Sequence, residues 1–106
     1  MPEEKNAAYD AIADELVTTA GATRANMFGM PTLKIGGKAF AGCSRGAMVF
    51  KLRGEDHAQA LALAGATLFD PMGGRPMKEW VVIPPEHAGR WAEFGHIALA
   101  GVAATL

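Results

Sequence analysis

The chain has 106 residues, of which 50% are apolar and 20% charged, and a formal net charge of −1. This length suits one domain, residues 1–106, whose core stands without metal or disulfide support, and the composition excludes a disordered chain. The near-neutral charge and the ten scattered basic residues argue against a nucleic-acid-binding stripe, where clustered cations supply most of the affinity.

The first element is an amphipathic helix from about Glu3 to Ala20. Ala8, Tyr9, Ile12, Ala13, Leu16 and Val17 recur at helical spacing, and Asp10, Asp14 and Thr18 share the other face. Acidic residues crowd its first turn, where the helix dipole favours them, and Gly21 ends it.

From Met27 to Leu52 the pattern changes to short apolar runs broken by glycine. Thr32–Ile35, Gly36–Gly37 and Lys38–Phe40 read as a hairpin whose two-residue turn needs positive φ. Gly42–Gly46 reads as a second turn region, and Ala47–Leu52 as a third strand with Met48, Phe50 and Leu52 on one face.

Gly54–Glu55–Asp56 opens a short alanine-rich helix that Gly65 stops. A strand at Ala66–Phe69 follows, then a loop from Asp70 to Pro76 and a strand from Met77 to Ile83. The last helix, about Pro85 to Ala103, groups Ala88, Trp91, Ala92, Phe94, Gly95, Ala98, Leu99 and Val102 on one face. Gly95 in mid-helix is expected to mark a close approach of helix and sheet backbones. The fold class is α+β: a two-layer sandwich with one antiparallel sheet of about five strands in the order α-β-β-β-α-β-β-α. The helices are expected mainly on one face.

The succession Met27–Phe28–Gly29, Gly37–Lys38–Ala39–Phe40–Ala41, Val49–Phe50–Lys51–Leu52, Gly65, Phe69, Gly74–Arg75–Pro76–Met77, Trp80–Pro84 and Trp91 resembles the TfoX/Sxy N-terminal domain family. YjbR-like domains share the pattern around Gly37–Phe40 and Lys51. The resemblance covers about Arg24 to Leu99 and rests on order and spacing. It implies a fold similar to secretion chaperones, a bacterial protein, and a non-enzymatic regulatory role exerted through other proteins. Full-length TfoX-like proteins carry a second, C-terminal domain without counterpart here, so a part in natural competence is not expected from the resemblance alone.

Candidate chemistry is sparse. Cys43, the sole cysteine, excludes an intrachain disulfide and suggests a reducing compartment. As a nucleophile it would need Arg45 to lower its pKa and a histidine as base, yet His57, His87 and His96 lie in no nucleophile motif. A small buried residue is the better reading. His87 and His96, nine residues apart, fall on opposite faces of an ideal helix, so neither a metal site nor a cofactor is expected. Gly73–Gly74–Arg75 has phosphate-cradling composition, but the loop leads into Pro76 and a strand rather than a helix.

The remaining candidate is the second face of the sheet. Lys51 and Val49 share it on one strand, and the strand with Trp80 and Val81 leaves a large apolar residue on either face. Val49, Lys51, Trp80 and Val81 are therefore the candidate partner or ligand surface, expected to be apolar and exposed. A protein partner, self or other, is the first reading, with a homodimer as one form. A small-molecule pocket near Lys51 and Trp80 is the alternative, and a DNA-binding module the third. No apolar run approaches the roughly 20 residues that span a bilayer, and the polar start, Met1–Lys5, is no signal peptide. A cytoplasmic location without membrane contact is the expectation.

Overall fold

The computed structural model describes residues 7–27, 29–70, 73–74 and 76–106. Helix α1 spans Ala7–Ala20, and the expected start at Glu3 lies outside the described residues. Tyr9, Ile12, Ala13 and Leu16 are buried, whereas Val17, read as part of the same apolar face, is exposed. Gly21 takes φ 78°, and the Ala22 N–H donates back to the Leu16 carbonyl at 3.2 Å, closing the helix with a left-handed cap.

Four strands follow: β1 (Thr23–Met27), β2 (Met30–Ile35), β3 (Lys38–Ser44) and β4 (Ala47–Lys51). Strand β1 is additional to the expected set. It is a short edge strand whose alternation, Ala25 and Met27 against Arg24 and Asn26, spans few residues, and it is held by pairing with β2 from Thr23↔Lys34 to Met27↔Met30. The Gly36–Gly37 turn forms as expected, with φ 58° and 82°. The second turn is narrower than expected. Gly42, Cys43 and Ser44 belong to β3, and only Arg45 and Gly46 turn, with φ 52° and 82°. A bulge between Leu33 and Lys34 on the β2–β3 ladder lets both Phe40 and Ala41 enter the core.

Helix α2 (Gly54–Leu61) leads to β5 (Thr67–Phe69) and β6 (Met77–Ile83). A 3-10 helix, Pro85–Arg90, precedes α3, Trp91–Ala103. The expected single helix is thus broken at His87, whose φ of −108° and ψ of 23° leave the helical region. The sheet is antiparallel throughout, in the order β1-β2-β3-β4-β6-β5.

All three helices contribute to one core against the sheet, where Leu16, Ala60 and Phe94 join Leu33, Phe40, Met48, Phe50, Val81 and Ile83. The Trp91 indole N–H donates to the Ile83 carbonyl at 3.1 Å and ties α3 to the end of β6. Gly95 does not mark a backbone approach. A methyl there would meet Ile12, Leu16 and Phe50 side chains at 3.5 to 3.8 Å, ordinary contact distances.

Candidate functional site

The helix-free face carries a core of its own. Register pairs run across the whole sheet on that face: Ala25↔Thr32, Thr32↔Gly42, Gly42↔Val49, Val49↔Val82 and Val82↔Thr67. Long side chains lean over this row of small ones. Met30, Val49, Phe69 and Trp80 form a cluster, and Met27, Ala39, Met77 and Val82 pack around it half-buried. Gly42 makes room for Met30, since a methyl at Gly42 would stand 2.7 Å from the Met30 Cε. Thr32 is fully buried here and donates its hydroxyl hydrogen to the Met30 carbonyl at 3.1 Å.

The four candidate residues therefore do not form one exposed patch. Val81 pairs with Phe50 and faces the helices, so it belongs to the main core. Val49 is 0% exposed and Trp80 7%, because the protein's own side chains cover them. Lys51, paired with Trp80, reaches solvent at the end of the strand, 4.0 Å from the Glu79 carboxylate.

Two hollows adjoin this region. One, of about 440 Å³, lies at one end of the second face, with Met30, Ala47, Phe69 and Val82 below and Arg45 and Asp70 at its edge. The other, of about 280 Å³, lies beside Lys51, where Arg53, Asp56 and Glu79 surround an apolar wall of Leu52, Ile97 and Val102. Trp80 does not line it. Ile97 of α3 faces this second hollow.

The other candidate groups stay apart. Cys43 is buried in the main core opposite Met48. Each histidine donates from Nε2 to a different neighbour: His57 to the Lys78 carbonyl at 2.7 Å, His87 to the Ala64 carbonyl at 2.9 Å, and His96 to the Glu15 carboxylate at 2.7 Å. Among the described residues no three His, Cys, Asp or Glu side chains converge as metal ligands would. In the glycine loop the Asp70 carboxylate accepts from the Gly73 and Gly74 amides at 2.8 to 3.0 Å, so the chain's own anion fills the place of a phosphate. Arg75, Pro71 and Met72 lie outside the described residues.

Two arginines are neutralised locally. Arg24 binds Asp14 at 2.8 Å and Asp10 at 3.1 Å, bonds that hold its guanidinium pKa above the usual value. Arg90 binds Glu93 at 3.0 Å. No helix among the described residues is long and apolar enough to cross a membrane. Compared with known family models, curated proteins and solved structures, the chain gives no match.

Proposed function

We propose that the chain is a non-enzymatic regulatory or interaction domain, as its likeness to TfoX/Sxy N-terminal domains implies, and that it meets a partner protein on the helix-free sheet face. One observation carries this reading. A sheet solvated on one side alternates apolar and polar residues. Here the side chains that reach solvent above the second core are apolar instead: half-buried Met27, Ala39, Met77 and Val82 extend its surface outward. The hollow above Phe69 and Val82 accepts an apolar side chain, with Arg45 at its edge as donor to a partner backbone carbonyl.

The test compares proteins retained from the native host by the wild type and by Val82→Glu, with Leu61→Glu on exposed α2 as control. A partner bound at least tenfold more weakly by Val82→Glu, and unchanged by Leu61→Glu, supports the reading. Equal retention by all three proteins, or no retained partner, defeats it.

The hollow beside Lys51 favours a second reading, a small-molecule site. Lys51 and Arg53 stand there with Asp56 and Glu79 over an apolar wall, a setting suited to a ligand carrying both charges. A ligand-induced rise in melting temperature that Arg53→Ala removes would favour this reading over the first.

A further inference from the structure

Strand β1 ends the sheet, and among the described residues nothing pairs with its outer side. Exposed edges are usually blunted by proline, a bulge, a projecting charge or a covering segment. Strand β1 has five residues without proline, in unbroken register with β2. Its only charged side chain, Arg24, is drawn back over the helical layer to Asp10 and Asp14. The opposite edge is better protected: β5 has three residues and a register shift before Phe69.

The outward groups follow from the ladder. Two residues separate Met27 from its partner Met30, and so tight a connection is closed by hydrogen bonds within the flanking pair. Bonded and non-bonded pairs alternate along an antiparallel ladder. Thr23, Ala25 and Met27 therefore turn their backbone groups to β2, while Arg24 and Asn26 turn theirs outward.

We propose that a second copy of this chain pairs at this edge, β1 antiparallel to β1, about a two-fold axis at Ala25. Arg24 then faces Asn26 of the partner subunit, and each outward N–H and C=O of these residues gains a partner. The strand's self-complementarity selects a second copy as occupant. Reversed on itself, it sets Thr23 against Met27, Arg24 against Asn26 and Ala25 against Ala25, so no like charges oppose within the strand pair. A two-fold axis normal to the sheet also keeps both helical layers on one side and brings the two α1 helices together. Asp10 and Asp14 mark the stripe of α1 nearest β1, and Val17 continues it, 38% exposed in the single chain. Contact between the two helices covers this valine. The inference is independent of the second-face reading, because the edge and the face are different surfaces.

The test is the mass of the full chain in solution across a micromolar to millimolar concentration series. A mass of two chains is expected for the wild type. Asn26→Pro deletes one outward N–H without touching the ladder to β2, and is expected to yield a folded monomer. Amide hydrogen exchange gives a reading that needs no variant: Arg24 and Asn26 should exchange at least tenfold more slowly as concentration rises, while Ala25 stays constant. A monomer at the highest concentration overturns the proposal. So does a dimer that persists in folded Asn26→Pro, or exchange at Arg24 and Asn26 that ignores concentration.

Discussion

Tyr9 sits on the buried face of α1 with 3% of its surface exposed, and burial pushes its phenol pKa up to about 12 against the opposing pull of the Arg24 guanidinium. The sign of the stability effect follows. Below pH 10 both folded and unfolded chains keep the proton; between 10 and about 12 the unfolded chain releases it while the folded chain holds it, so stability falls as pH rises. The expected slope from this group is at most ~1.4 kcal/mol per pH unit. Urea unfolding at about pH 9 and about pH 11 should show a smaller alkaline loss in Tyr9→Phe, by about 1 kcal/mol. Identical losses in both proteins would show that the phenol is not held neutral by its surroundings. Cys43 illustrates what was readable at this scale: a small residue beside Gly42 and without a motif partner reads as core, and it lies in the core. Partner choices across the fold were not readable, because Arg24 with Asp10 or His96 with Glu15 depends on how α1 crosses β1 and α3.

At the scale of elements, glycine and apolar spacing carried most of the information. The tight turn at Gly36–Gly37 was legible because few residues other than glycine tolerate its two positive φ values, 58° and 82°. Replacing both with valine forces β-branched side chains into that region, while the exposed Leu106 side chain, which a side chain at Gly36 would meet, can swing aside at little cost. The double variant should lose about 2–4 kcal/mol of stability in a denaturant titration. A loss under about 0.5 kcal/mol would mean that the turn is not built as described. Strand β1 was not legible. Thr-Arg-Ala-Asn-Met alternates over only five residues and holds a single strong strand former, Thr23, so its extended form comes from the neighbour it pairs with. The break at His87 was missed for a similar reason, since its ring is bonded to the Ala64 carbonyl across the fold.

For the whole molecule, the sandwich followed from the order of elements, but the nature of its second face did not. The sequence showed too many apolar residues on β4 and β6 for a sheet wet on one side, and an exposed patch was the natural expectation. In the structure Met30 crosses the gap left by Gly42 and, with Phe69 and Trp80, forms a second core around Val49. Side-chain reach across several strands is a tertiary property that alternation within one strand does not encode. The consequence is a sharp contrast between two neighbours in the same row. Val49 is 0% exposed, so Val49→Glu would bury a carboxylate without a partner, a change that costs several kcal/mol out of the roughly 5–15 kcal/mol that holds a small domain together. Its register partner Val82 is only partly buried, and Val82→Glu can turn its carboxylate to water at a cost of about 1–2 kcal/mol. Val49→Glu is therefore expected to unfold or to melt without cooperativity at neutral pH, while Val82→Glu keeps the native circular dichroism and a cooperative transition. Should Val49→Glu prove as stable as Val82→Glu, the second core contributes nothing essential, and the helix-free face is an ordinary open surface.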